Sequence, residues 1–133
     1  MGQPQNVQFR SYEPHQSRIG ASDVRRVLRL RRSRNEIFCK ALFGEPAWDM
    51  LLQLYAAQLE RRTECITDLC DASGVPQSTA LRWISCLEDR KLVKREQDPH
   101  DNRRILVSLT AKGTEAMDRF FTQAEFFPDE PRA

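Results

Sequence analysis

Between residues 46 and 60, Trp48, Leu51, Leu52, Tyr55 and Leu59 recur at three- and four-residue intervals, the period of one helix face. Met50 and Leu54 add a second apolar face, and a helix apolar on two sides is sandwiched between layers. Pro46, with its fixed φ and no N–H to satisfy, suits the first turn of that helix. Upstream, a helix is expected over about residues 22–43, capped by Ser22 or Asp23 and stopped by Gly44 and Pro46. Residues 1–20 are rich in Gln, Pro, Ser and Arg without periodicity and read as a flexible arm.

The run TECITDLCDASGVPQSTALRWISCLEDRKLVKRE holds two further helical patterns around a tight turn. Thr67 is a good N-cap for a short helix over 68–72, and Gly74 can take the positive φ that a turn at Ser73–Val75 needs. A second helix is expected over about 76–90, and the apolar positions Ile66, Leu69, Val75, Ala80, Ile84 and Leu87 then fit a helix-turn-helix. At 100° per residue, Ala80, Trp83, Ile84 and Leu87 share the core side of that helix. Ser78, Leu81, Arg82 and Ser85 lie opposite, with Gln77 near the N-terminal end. Ser and Gln can hydrogen-bond base edges, Arg can pair with guanine, and Leu81 can touch a thymine methyl. An ordinary solvated face has the same composition, so this helix alone leaves both readings open.

After residue 91 the period changes to two. Leu92–Arg95 reads as a strand, EQDPHDNR as a turn, and Ile105, Val107 and Leu109 as the buried side of a second strand with Ser108 opposite. A β-hairpin following a recognition-type helix makes a winged helix. Thr110 then caps a last helix through about Phe126, with Met117, Phe120, Phe121 and Ala124 on one stripe and Pro128 ending it. Phe120, Phe121, Phe126 and Phe127 either fold back on their own domain or form a patch that needs a partner. The fold class expected is mainly α with a small β-hairpin wing. One domain spans 21–127, with helices at about 22–43 and 111–126 flanking a lobe at 64–109, and 128–133 form a tail.

Composition sharpens this picture. A chain of 133 residues fits one domain, and 40% hydrophobic with 30% charged residues suits a soluble globule. No apolar run approaches the roughly 18 residues of a membrane span. The N-terminus has no signal-type apolar core, and Asn6 does not suit myristoylation after Met-Gly, so a cytoplasmic protein with no membrane partner is expected. Cys39, Cys65, Cys70 and Cys86 contain no Cys-x-x-Cys and have only His15 and His100 to help, so no metal site is expected. They read as reduced, buried thiols, with Cys39 the redox candidate because arginines can lower its pKa.

The net charge of +2 hides an asymmetry. Residues 1–62 carry 11 Lys/Arg against 6 Asp/Glu, and six of the ten residues from Arg25 to Arg34 are arginine. With Asp23 and Glu36 the only near acids in sequence, these arginines read as phosphate contacts, as a solvated face, or as ion-pair donors to a partner. There is no glycine-rich phosphate loop and no Ser/His/Asp or Cys/His arrangement, so neither catalysis nor a cofactor is expected.

ITDLCDASGVPQSTALRWISCLEDRKLVKRE together with DPHDNRRILVSLTAKG resembles the MarR family of winged-helix transcriptional regulators. The wing carries an Asp-x-Arg at Asp101 and Arg103 and a Leu-Thr-x-x-Gly at Leu109, Thr110 and Gly113. The resemblance is close over about 64–118 and looser back to 22. It implies a homodimer on double-stranded DNA, reading a pseudo-palindromic operator with a recognition helix in each major groove and a wing in the adjacent minor groove. Gln77, Ser78, Leu81, Arg82 and Ser85 would face the major groove. Asn102, Arg103 and Arg104 would serve the wing, with Asp101 orienting an arginine. It also implies a small-molecule effector or oxidant sensing, with a pocket near Trp48, Tyr55 and the C-terminal phenylalanines. The pattern departs from the family after residue 126, where the usual final dimerisation helix is absent. That departure keeps a competing class open: a winged-helix adaptor or anti-regulator that binds protein rather than DNA.

Overall fold

The computed structural model describes residues 19–38 and 44–123. Residues 1–18 of the expected arm, the end of the first helix with Cys39, the last turn with Ala124, Phe126 and Phe127, and the tail lie outside the described residues. Ile19, expected in the arm, is instead buried in the core. The helices are α1 (Ala21–Ile37), α2 (Pro46–Leu59), α3 (Ile66–Ser73), α4 (Gln77–Asp89) and α5 (Ala111–Gln123). The strands β1 (Glu64–Cys65), β2 (Val93–Asp98) and β3 (Asp101–Leu109) form one antiparallel sheet in the order β1-β3-β2. The architecture is a mainly helical winged helix.

α2 is the centre of the molecule. Met50, Leu52, Gln53, Leu54, Tyr55, Ala56 and Ala57 are all buried, and α1, α3, α4, α5 and β3 all pack against it. The sandwiched helix expected from its two apolar faces is present, and Leu52 and Tyr55 of the first face are fully buried. Met50 and Leu54, read as the second face, are buried, whereas Trp48, Leu51 and Leu59 are only half-buried at the margins. Aromatic rings fasten α5 to it: Tyr55 stacks on Phe121 at 5.6 Å and Trp48 meets Phe120 edge-on at 4.9 Å. The Tyr55 hydroxyl donates to Asp118 Oδ1, giving both buried groups a polar partner.

A closed polar ring fastens α1 and β1 to the same helix. Arg25 donates to Glu60 through Nε (3.0 Å) and Nη2 (3.1 Å), and to Gln53 Oε1 through Nη1 (3.0 Å). Gln53 Nε2 donates to Glu64 Oε2 at 3.1 Å, and Arg62 closes the ring to Glu64 (3.3 Å) and Glu60 (2.8 Å). Hydrogen bonds from Arg25, then from Arg62, lower the Glu60 pKa from 4.5 to about 2.

Several local expectations change. Gly20, rather than Ser22 or Asp23, is the N-cap of α1; Asp23 acts from inside the first turn, its carboxylate accepting the Gly20 N–H at 3.0 Å. Thr67 does not cap α3, because the chain enters that helix straight from β1 and the extended Cys65 is the N-cap. The hairpin strands are longer than expected, leaving only Pro99 and His100 in the turn. Cross-strand backbone bonds, not apolar alternation, hold these polar residues. A bulge at Gln97/Asp98 leaves Asn102, Arg103 and Arg104 without one-to-one partners on β2.

The Leu-Thr-x-x-Gly run locks β3 to α5. Thr110 Oγ1 accepts the Gly113 N–H at 3.0 Å and donates to the Lys91 carbonyl at 2.6 Å, while the Thr110 N–H reaches Leu92 O at 3.0 Å. A Cβ on Gly113 would lie 2.2 Å from the Leu92 carbonyl oxygen. Gly113→Ala is therefore expected to destabilise the fold by about 3 kcal/mol, the upper end of the usual overpacking range, measured by urea unfolding. Unchanged stability would mean that helix and strand do not approach this closely. For Glu60, whose folded pKa is depressed, the stabilisation is present above 4.5 and is lost as pH falls toward about 2. The stability advantage of wild type over Glu60→Gln should shrink across that window, followed by thermal melts at stepped pH. A difference that stays constant with pH would remove the ring from the linkage.

Candidate nucleic-acid interface

α4 divides its residues by side. Ala80, Ile84 and Leu87, at i, i+4 and i+7, are buried; Gln77, Ser78, Arg82 and Ser85 are exposed. Arg82 and Ser85 line a shallow depression together with Leu81, Cys86 and Asp89 along the outer side of the C-terminal half. Two residues leave their expected side. Trp83, read as core, is 38% exposed, and Leu81, read as groove-facing, is half-buried against the core. The cause is angular: with the core direction centred on Ala80, Ile84 and Leu87, Trp83 and Leu81 fall on the two flanks. Polar and cationic atoms therefore dominate the outer surface.

Arg95 completes this surface and was missed by sequence reasoning. It stands at the middle of β2, opposite the buried Val107, and β2 packs on α4. Its Nε donates to Glu88 Oε1 at 3.0 Å and its Nη2 to Ser85 Oγ at 2.8 Å. A signal was available: alternation from Val93 puts Arg95 on the inner face of the strand.

On the wing, the Asp101 carboxylate accepts from Arg103 Nε (3.0 Å), Nη2 (3.2 Å) and the Arg103 backbone N–H (3.1 Å). The Arg103 side-chain bonds, then its backbone N–H, hold the Asp101 carboxyl below the usual carboxylate range. Asp101 thus orients Arg103, whose side chain is 89% exposed. Arg104 takes another direction, because successive strand residues point to opposite faces; it pairs with Asp98 at 3.3 Å. Asn102 is exposed, its carbonyl accepting from Gln97 Nε2 at 3.1 Å, and Asp98 Oδ1 accepts the His100 N–H at 2.8 Å to close the turn.

The arginine run of α1 is partly neutralised from within. Arg25 is held by Glu60, and Arg31 by Asp49 and by Glu45 at 3.0 Å. The acids come from the beginning, body and end of α2, which the reading along α1 alone overlooked. Arg29 and Arg32 are exposed with no carboxylate partner among the described residues. Arg32 and Asn35 line a cleft of about 280 Å³ between α1, Pro46 and the Gly74–Val75 turn. Near the place expected for an effector pocket, Trp48 meets Phe120 edge-on and Tyr55 stacks on Phe121, while Phe126 and Phe127 lie outside the described residues. Cys65, Cys70 and Cys86 are free thiols, and burial pushes the Cys70 thiol up.

Residues 49–113 match the family model of a winged helix DNA-binding domain. No curated protein sequence matches the chain. Among solved structures, it is similar to the S. aureus MepR–DNA complex at 26% identity, with a TM-score of 0.52 over 73% of this chain and 85% of that one. AF1382 from Archaeoglobus fulgidus matches at 23% identity and a TM-score of 0.54, over 68% and 97% of the two chains. The transcriptional regulator PA4135 matches at 20% identity and a TM-score of 0.53, over 74% and 73%. A MepR mutant from a multidrug resistant S. aureus clinical isolate, by contrast, is covered over 56% of its length. Fold and domain match together define a winged helix DNA-binding domain over residues 49–113. Over that domain the chain is similar to winged-helix regulators of known structure.

Proposed function

We propose that this chain is a sequence-specific transcriptional regulator that acts as a homodimer on a pseudo-palindromic operator in the cytoplasm. The observation that carries the reading is the division of α4: an apolar side locked into the core and an outer side of Gln77, Ser78, Arg82 and Ser85. Side chains of this kind match the donors and acceptors of the major groove, and Arg103 on the wing offers its charge to phosphates. Leu81 contributes packing more than readout. Arg104, paired with Asp98, serves the wing chiefly by fastening its two strands.

Dimerisation is supported by apolar side chains left outside. Leu30 (65% exposed) and Ile37 (70%) sit on α1, Phe38 (65%) at its C-cap, and Phe120 (48%) on α5. A small effector would enter the cleft between α1 and the Gly74–Val75 turn. No helix among the described residues is long and apolar enough to cross a membrane. The reading is that of a binding protein rather than an enzyme.

Arg82→Ala is expected to weaken binding to a selected duplex by about 1–3 kcal/mol and to relax discrimination, measured by mobility shift. Equal losses on selected and random duplexes would make Arg82 a phosphate contact. Arg103→Ala should lower affinity and flatten the slope of log K against log salt by about one. Binding that stays unchanged across the salt titration would take the wing out of the interface. If wild-type protein gives no saturable, salt-sensitive shift with genomic fragments, the same exposed surfaces serve a protein partner and the molecule is an adaptor.

A further inference from the structure

A protein that reads two grooves must hold its recognition helix and its wing at a fixed angle to one another. Backbone pairing does not do this, because the hairpin leaves α4 through the short connection Arg90–Leu92 and thereafter pairs only with itself and β1. Beside the apolar core that Leu87 and Val93 share, a directional polar contact joins the two. Arg95, from the middle of β2, reaches Glu88 at 3.0 Å and Ser85 at 2.8 Å, spanning one turn of α4 on the side that carries the candidate reading residues. Guanidinium is suited to this: its planar fork can serve two acceptors from one rigid group, which a lysine ammonium cannot do in fixed geometry.

The contact also decides what Ser85 can offer. A hydroxyl has one donor and two acceptor lone pairs. Arg95 Nη2 occupies a lone pair and polarises the oxygen, which strengthens its O–H as a donor. Ser85 is exposed, and an oxygen that accepts from the guanidinium keeps its O–H available to donate to a group lying against α4. In the major groove the acceptor common to both purines is N7.

We propose that Arg95 is a positioning residue that clamps the wing to the recognition helix and presents the Ser85 hydroxyl as a donor to a purine N7 in the major groove. The proposal rests on the DNA-binding reading above and adds to it a residue that need not touch DNA itself.

The test uses the full chain and a duplex that the wild-type protein has selected from a random pool. Each purine in the half-site is replaced in turn by its 7-deaza analogue, which lacks the N7 acceptor. One position should cost wild type about tenfold in affinity, and that sensitivity should vanish in both Ser85→Ala and Arg95→Gln while persisting in Arg82→Ala. Arg95→Gln should leave the salt slope unchanged, and Arg95→Lys should not restore binding. A salt slope reduced by about one, rescue by lysine, or the lack of any such purine position would each overturn the proposal. The clamp has a readout without DNA: Arg95 Nε–H should exchange slowly in wild type and fast in Glu88→Ala. Equal exchange in the two proteins would overturn the clamp even if DNA binding is normal. If wild type selects no duplex, the regulator reading fails and the Ser85 role with it, whereas the exchange rates still report whether the two elements are joined.

Discussion

Taking α2 out of water on nearly every side is the constraint from which the rest follows. Seven of its residues are buried, and two of these, Gln53 and Tyr55, carry polar groups that cannot be left unpaired in a low-dielectric interior. Their partners must come from other elements, and each partner fixes one. Gln53 takes Arg25 from α1 and Glu64 from β1; Tyr55 takes Asp118 from α5. The apolar surface supplies the non-directional driving force for burial. The polar atoms decide where α1, β1 and α5 sit.

That arrangement prepares the outer surface. α4 rests on α2, α3 and β2, with Ala80, Ile84 and Leu87 buried, which leaves Gln77, Ser78, Arg82 and Ser85 exposed on its outer side. The acids of α2 are used inside the molecule, on Arg25 and Arg31, which leaves Arg29 and Arg32 as cations of α1 without an acidic partner among the described residues. On the wing Asp101 does not cancel Arg103 so much as aim it: the carboxylate holds the guanidinium from one edge while most of the side chain stays in water. Charge is therefore sorted into structural pairs near α2 and presented groups at the periphery.

Much of this was legible because periodicity is a local property. The helix of 46–60, the division of α4 into two sides and the Thr110 cap were all readable from spacing and residue type, and so was the winged-helix order of elements. What stayed hidden was non-local. Two residues carry no period, so β1 could be found only through its pairing with Leu106 and Val107. EQDPHDNR has the composition of a loop, yet its ends are strand because backbone bonds across the hairpin hold it, whatever its side chains prefer. Trp83 was placed on the core side by helix angle, but it lies at the edge of that side, whose inner line holds three smaller residues. The partners of Arg25, Arg31 and Arg95 are distant in sequence, or on another element, and no scan along one helix reveals them.

The strand β3 is supported unequally along its length. Its base has a neighbour on each side, with β1 against Leu106 and Val107 and β2 from Ile105 to Leu109; beyond the bulge it has neither one-to-one partner nor β1 until Asp101 meets Asp98 at the turn. Nine residues at about 3.3 Å each make it a beam of about 30 Å, clamped at one end. The compliance of a clamped beam rises steeply with its free length, so bending concentrates at Asn102–Arg104 while the root stays as stiff as the core. On the proposed function, a tip that deflects on a fixed root can follow a groove whose width changes with sequence without moving the helix beside it.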